Sequence, residues 1–590
     1  MILKALYDYY ERCKGTLPAF GKELKEIGFL IIIDREGNFL RFEDRRIDSK
    51  HAHAFIVNKQ LGRTSAPVAN YLYDSSAYVF GFSDKKDFDG CRKYLETFKK
   101  KVDEIYKAAP NNVDITAVHR FYQHDPQAIL AKMKADTLWP EIEKNLNKKY
   151  SLFSFLINGD TQIVAEKEEL LDLLEEDNHD NEKVCLVSGK KGKIVDVTTA
   201  TMIPGSQAVA KIVSFQVKSG YDSYGKEQGA NAPISEESEF AYSTALKHLL
   251  RSDSRNKFLI GNRTFLFWAS KDNAAGNQAE KGIFELFGFS DAEEDDPNAK
   301  IEQVRKVFKA IYSGELNTTL DDKFYILGLA PNSARIAVVY WAEIPLKEFA
   351  ERINRHFDDM EIADTRKIQK PYTGLYSILK AVTLKGAISG NDSRLQPNLP
   401  EAVMKSIFQG TPYPQILLAS CISRLRSEMT KDKYEEALRR GYIITRAAII
   451  KAYLNRQNNI NEQNIKVMLD KNNTNPGYLC GRLFAVLDKI QEDANNQHTI
   501  RERYMNSASA TPSAVFATIL NLSSHHSEKL NEGRNVFFEK LKQEIIDKLD
   551  ADGFPAHLDL QDQGRFFVGY YHQRQAFFTK NEKEGNDNNQ

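Results

Sequence analysis

The feature that most constrains this chain is a change of apolar period. Up to about residue 375, short apolar runs of strand length alternate with helical patterns. Beyond it the strand signal ends and apolar residues recur at helical spacing throughout. The pattern predicts an α+β protein: a large mixed α/β N-terminal region followed by an all-α C-terminal helical bundle. Leu3, Leu6, Tyr7 and Tyr10 mark a first helix. Gly28 to Ile33 reads as a buried strand, and Phe39 to Phe42 as its hairpin partner across the turn 34–38. Residues 45–70 read as a long polar loop before the aromatic segment 77–82. A loop of that length inside a domain is either functional or disordered. Helices over 86–108 and 125–147 lead to strands at 151–157 and 162–165. Helices at 237–250 and 300–311 precede strands at 257–260, 264–269, 324–329 and 335–341, with 270–278 a mobile polar loop. Helices are then expected near 400–408, 413–429, 432–456, 475–491, 511–523, 534–549 and 559–579, before a disordered polar tail, 581–590.

A chain of 590 residues exceeds what one growing core supports. Three regions are predicted, 1–205, 206–375 and 376–590, with the best linker at 385–400, where Gly386, Gly390, Pro397 and Pro400 cluster. Lysine plus arginine equals aspartate plus glutamate at 81 each, so nucleic acid could be met only through local basic patches. Cys13, Cys91, Cys185, Cys421 and Cys480 are scattered without a CxxC pair, which argues against a disulfide framework or a cysteine zinc site. The charged start is unlike a signal peptide, and no apolar run approaches the ~20 residues of a membrane span, so a cytoplasmic protein without a membrane partner is expected.

Motifs for catalysis are missing. Residues 188–193, Ser-Gly-Lys-Lys-Gly-Lys, lack phosphate-loop spacing and read as a basic turn between strands; there is no GxSxG and no HExxH. His525 and His526 would point about 100° apart on a helix, and His51 and His53 have no carboxylate or cysteine partner. No catalytic residue, metal or cofactor is therefore predicted. Two glycine-rich segments, 203–211 and 219–231, flank an expected strand at 212–217. They are either tight structural loops or places where backbone amides approach a phosphate or base edge, beside Gln207, Lys211, Lys226, Gln228 and Asn231. The segment before Tyr73 has the same ambiguity. Arg46, Lys59 and Arg63 bring positive charge; Asn70 can pair with adenine, and Tyr71 and Tyr73 can wedge beside a base or belong to the core.

Several strings, in this order, resemble the large subunit of the type I-C CRISPR interference complex (Cascade). They are the opening 1–10, Asn70-Tyr71-Leu72-Tyr73-Asp74 with Tyr78-Val79-Phe80-Gly81, and Ile212-Val213-Ser214-Phe215 with 224–235. Residues 325–332, 446–456 and 563–574 continue the likeness nearly to the end of the chain. Some relatives carry paired cysteines just before 186–189; here only Cys185 stands, so zinc binding is not carried over.

The resemblance implies a non-catalytic subunit for antiviral defence. Guide-RNA pairing reads the target, while the protein reads a short flanking duplex motif, the PAM, helps open the DNA and supports the displaced strand of the R-loop. By position it assigns Asn70, Tyr73 and Tyr71 to the PAM duplex and Lys59 and Arg63 to phosphates. Gln207, Lys211, Lys226, Gln228 and Asn231 form a weaker set for DNA or RNA. Implied partners are the crRNA-bearing backbone subunits, a small subunit, target double-stranded DNA, and a helicase-nuclease recruited after R-loop formation. Met468 could start a separately made small subunit, 468–590. Arg446 and Lys451 fall about 140° apart on a helix, so the bundle carries no continuous basic ridge and some of its charges are expected on solvated surface. The alternatives are a purely structural scaffold of the complex and a nuclease subunit.

Overall fold

The computed structural model describes residues 2–60, 67–86, 88–171, 182–216, 224–251, 253–286, 299–366, 372–387, 394–428, 430–457, 463–550 and 552–579. Arg63, the glycine-rich stretch 219–223, Gly390 in the expected linker and the tail 581–590 lie outside them. The chain divides into two compact units. One is Leu6–Thr199 with Ser214–Ala245; the other is Met1–Ala5, Ala200–Val213 and Leu246–Gln590. Both mix strands and helices, and beyond Pro345 only helices occur among the described residues, so the fold is α+β with a helical C-terminal region.

The unit containing Leu6–Thr199 is built on two buried apolar strands, β2 (Phe29–Ile33) and β6 (Phe153–Ile157), every residue of which is inside. They pair in parallel, Phe29 opposite Phe153, and a parallel pair covered on both faces tolerates no polar alternation. β3 (Phe39–Asp44) extends the sheet antiparallel to β2, and the short β5 (Tyr73–Asp74) extends it beyond β6. Gly28, where β2 begins, lies so close to Tyr150 that a Cβ would stand 2.7 Å from the Tyr150 carbonyl oxygen. Helices Phe88–Ala108, Val113–Phe121, Pro126–Lys134 and Trp139–Asn145 supply the rest of this core. The stretch read as one helix over 125–147 is thus two, the first capped by Asp125 and begun by Pro126. The expected strand at 162–165 is a 3-10 turn, Val164–Glu166.

A second pair, β1 (Lys22–Glu26) and β4 (Ala54–Asn58), forms its own antiparallel ribbon. β4 falls inside the segment 45–70 that reads as loop. β7 (Glu182–Val184) and β8 (Lys191–Lys193) form a small hairpin around the basic turn, as expected.

The other unit holds an antiparallel sheet in the order β12 (Arg335–Pro345), β11 (Lys323–Asn332), β10 (Arg263–Ala269), β9 (Lys257–Ile260). Helices Ala274–Leu286 and Leu346–Met360 lie on it, with Ala299–Ser313 packed against both. The first of these begins inside the segment expected to be a mobile loop. One continuous core then runs from Phe258 on the sheet to Tyr571 in the last helix. At its centre, helices Pro476–Asn495 and Leu560–Ala576 touch backbone to backbone. A Cβ at Gly481 would stand 1.9 Å from the Phe566 carbonyl oxygen, and one at Gly569 2.3 Å from that of Tyr478. The segment read as a single helix over 432–456 breaks at Gly441, whose φ of +75° ends Lys431–Arg439 before Tyr442–Arg456 starts. No helix among the described residues is long and apolar enough to cross a membrane.

Candidate nucleic-acid interface

The segment that sequence singles out leaves the end of β4 and returns at Asn70. Its two ends are tied to one another. The Tyr73 hydroxyl donates to the Asn58 carbonyl at 3.0 Å and to Glu23 Oε1 at 3.2 Å. The same Glu23 oxygen accepts the Gln60 backbone N–H at 2.8 Å, while Lys25 Nζ donates to Gln60 Oε1 at 2.6 Å. The Lys59 N–H is bound to the Gly21 carbonyl at 2.7 Å. On the returning side Asp74, fully buried, accepts the Asn70 N–H at 3.0 Å and the Ser75 N–H at 2.7 Å. Ser154 on β6 donates to the Leu72 carbonyl at 2.8 Å. Leu72 itself has φ +59°, a left-handed conformation that a leucine holds only when its surroundings fix it.

This geometry distributes the candidate residues unequally. Asn70 is 2% exposed and Tyr73 fully buried, so both stand inside the base of the loop. Tyr71 is half-buried, with Lys101 Nζ 4.9 Å from its ring centre. Lys59 is exposed, its Nζ 6.0 Å from the Phe240 ring centre, and Lys22 and Lys25 on β1 add positive charge at the same base. Arg46 is bound to Asp44 at 2.6 Å and to Glu141 at 3.2 Å. Sequence reasoning missed Glu23, the acceptor that gathers both ends. The run Lys-Glu-Leu-Lys-Glu of β1 has no apolar alternation by which it could be seen.

The second set divides between the two units. Gln207 and Lys211 lie along the β11–β12 turn: the Gln207 N–H meets the Ser333 carbonyl at 3.4 Å, and the Lys211 carbonyl accepts from Ile336 N–H at 3.0 Å. Residues 212–216 form no strand beyond the isolated Lys211–Arg335 bridge. Lys226, Gln228 and Asn231 belong to the other unit. There Asn231 Nδ2 donates to the Lys226 and Gln228 carbonyls at 3.3 and 3.1 Å, and a Cβ at Gly229 would collide with the Val195 carbonyl. Asn231 and Gly229 therefore shape a tight turn. Lys226 and Tyr224 stand exposed on it, Tyr224 at 99%.

In the helical region several basic side chains turn inward. Arg446 is fully buried and donates to Glu428 Oε2 at 2.6 Å and to the Ala381 carbonyl at 2.7 Å. Lys451, 4% exposed, donates to the carbonyls of Asp358 and Asp359 at 3.2 and 2.9 Å. Each of these two meets an acceptor set in the core, while Lys405, Lys433 and Arg503 are exposed, as expected of some of the bundle's charges. Burial pushes the Asp488 carboxyl up, yet the His498 hydrogen bond and the Arg501 and Arg574 charges hold it below the usual carboxylate range.

The ring nitrogens of His526 lie 3.2 and 3.1 Å from the side-chain amide nitrogens of Gln491 and Asn495, and His51 faces Glu26 at 3.3 Å. Among the described residues no three His, Cys, Asp or Glu side chains converge as a metal-holding group. Cys185 is buried beneath the β7–β8 turn. Burial pushes its thiol up, but hydrogen bonds from Ser238, Ser188 and Ser235 prevail and bring it to about 6.

No curated protein matches the chain significantly. A family model described as CRISPR-associated protein (Cas_Csd1) matches residues 6–578. That span includes the stapled loop, the glycine-rich turn and the whole helical region. The chain therefore belongs to the CRISPR-associated Cas_Csd1 family and is a large subunit of the Cascade type.

Proposed function

We propose that this chain is the large subunit of a type I-C interference complex, a cytoplasmic and non-catalytic protein that reads the PAM duplex through the loop between Asn58 and Asn70. The observation that carries the reading is the staple: Tyr73, Glu23 and Gln60 hold the two ends of a cationic loop together at the rim of a rigid sheet. Contact residues on a loop set by a fixed scaffold are how base-edge readers hold their geometry. Lys59 and Arg63 then meet phosphates, Tyr71 lies at the edge of the duplex, and Asn70 and Tyr73 act from beneath by fixing the loop. Lys226 on the glycine-rich turn is a second contact, with Gln228 and Asn231 shaping that turn and Gln207 and Lys211 serving a neighbouring subunit or the RNA. The partners are crRNA-bearing backbone subunits, a small subunit, target DNA and a helicase-nuclease that follows R-loop formation.

The test is made on the assembled complex. Lys59→Ala with Arg63→Ala should leave assembly intact and weaken binding of PAM-containing duplex in a gel-shift titration. Wild-type DNA affinity in the double variant would sink the assignment. Loss of assembly with no separate DNA defect would make the loop a scaffold contact instead.

A further inference from the structure

In the helical region most inward-facing arginines are matched to carboxylates: Arg424 and Arg446 to Glu428, Arg482 to Glu544, Arg574 to Glu492. Arg426 is the exception. Its Nε and Nη2 both donate to one neutral hydroxyl, Ser509 Oγ, at 3.2 and 3.1 Å, and it forms no ion pair among the described residues. Ser509 is itself fully buried and donates onward to the Asn506 carbonyl at 3.1 Å, so the guanidinium is held in a set orientation. The charge of Arg426 is partly withdrawn from water and pairs with no carboxylate among the described residues; burial lowers its pKa.

Arg426 lines a cavity of about 440 Å³ where helices Gln415–Ser427, Thr499–Ala508 and Leu560–Ala576 meet. It is open to solvent, a surface depression and not an enclosed chamber. Ser423, Ser427, Asn506 and Gln563 provide its polar wall, and no lining residue is acidic. Two of these four have already committed a donor, Ser427 to the Arg424 carbonyl and Gln563 to the Leu558 carbonyl. Ser423 Oγ, Asn506 Nδ2 and Arg426 Nη1 line it with no hydrogen bond to another described residue. The carboxylates adjacent in sequence are occupied elsewhere: Glu428 by two arginines, Asp562 by Arg565 and Asn475, and Asp559 by the first turn of Leu560–Ala576. One turn before Asn506 on the same helix, Glu502 and Arg503 are both exposed and offset one another.

A fixed, half-buried guanidinium with neutral hydroxyl and amide donors around it, and no carboxylate, matches an external oxyanion with several acceptor oxygens. We propose that this cavity is a phosphate-binding site in which Arg426 supplies the counter-charge and Ser423 and Asn506 bind the remaining oxygens. The phosphate is either a backbone group of single-stranded nucleic acid or that of a free nucleotide. The site belongs to a different compact unit from the loop between Asn58 and Asn70, and the Lys59→Ala variant should leave it unchanged.

Two probes are titrated into the full-length chain: a fluorescein-labelled twelve-nucleotide oligo-dT, by anisotropy, and thymidine 5′-monophosphate, by calorimetry. Arg426→Gln should weaken at least one of them about ten-fold, the loss of one charge-assisted hydrogen bond, and Ser423→Glu at least as much, because its carboxylate repels the phosphate and competes for Arg426. Arg426→Lys should restore part of the loss, because it keeps the charge without the fork. Weakening confined to the oligonucleotide assigns the site to a strand, and weakening confined to the monophosphate assigns it to a free nucleotide. Wild-type affinity for both probes in Arg426→Gln and Ser423→Glu overturns the proposal. Should Arg426→Gln fail to fold, Ser423→Glu decides alone, since Ser423 is exposed.

Discussion

Cations do opposite work in the N-terminal loop base and in the C-terminal helices. At the loop, the exposed Lys59 stands over a floor of hydrogen bonds made by other residues: Tyr73, Glu23, Gln60 and Asp74. In the helical region Arg446, Lys451 and Arg482 are themselves the floor, each 4% exposed or less and bound to carboxylates or carbonyls. A count of lysines and arginines does not separate the two regions. What each cation already binds does, and it leaves Arg426 as the exception among the inward-facing arginines of the helical region.

The comparison breaks most readily at Arg446. Removing one partner of a buried pair strands the other, so Arg446→Ala should destabilise by about 3–5 kcal/mol. Glu428 keeps Arg424 as a partner, which places the cost toward the lower end. Urea unfolding followed through Trp268 and Trp341, in a Trp139→Phe background, isolates the unit concerned. A cost under ~0.5 kcal/mol, the range of a surface change, would mean that Arg446 is not structural and the contrast is false.

Much of this architecture is readable from the chain itself. The switch to pure helix, the strands β2, β6, β10, β11 and β12 and the loop as a location all follow from apolar period and turn chemistry. Misreadings have physical causes. β1 and β4 form a two-stranded ribbon outside the main sheet, with charged or mixed faces, so neither period stands out. Helix Thr499–Ala508 is polar on most sides and carries little amphipathic signal. The break at Gly441 lies in an otherwise continuous helical pattern, where a single glycine is an ambiguous sign. That Asn70 and Tyr73 are inside is set by Asp74, Ser154 and Glu23, partners from separate strands that no local reading brings together.

A second way to sharpen the comparison uses pH. His356 is fully buried, its Nδ1 paired with the Tyr413 hydroxyl at 2.8 Å and its Nε2 with the Thr373 carbonyl at 2.7 Å. Burial, together with the Arg456 charge, brings it down to about 4 from its ordinary 6.5. The folded state thus binds this proton less readily than the unfolded chain. Its stability contribution is whole above pH 6.5 and is lost as pH falls toward about 4, a change of about 3 kcal/mol. His356→Gln should remove that part of the acid destabilisation from the same tryptophan-detected transition. An unchanged pH profile would mean that His356 titrates freely and that the interior here is less closed than its hydrogen bonds imply.

The smallest effect tests the loop's side of the contrast. Tyr73→Phe keeps the buried ring and removes only the hydroxyl that joins Asn58 to Glu23, so its stability cost should be about 1 kcal/mol. Lys59→Ala, on an exposed side chain, should stay within ~0.5 kcal/mol of wild type. In the assembled complex both should weaken PAM-duplex binding, by different routes. Lys59→Ala removes a charge and should flatten the salt dependence. Tyr73→Phe leaves the charge and loosens its mount, so the salt slope should hold while exchange of the Lys59 N–H, bonded to Gly21, speeds up. If Tyr73→Phe changes neither exchange nor binding, the staple does not order the loop, and the cation must be positioned by something other than the residues beneath it.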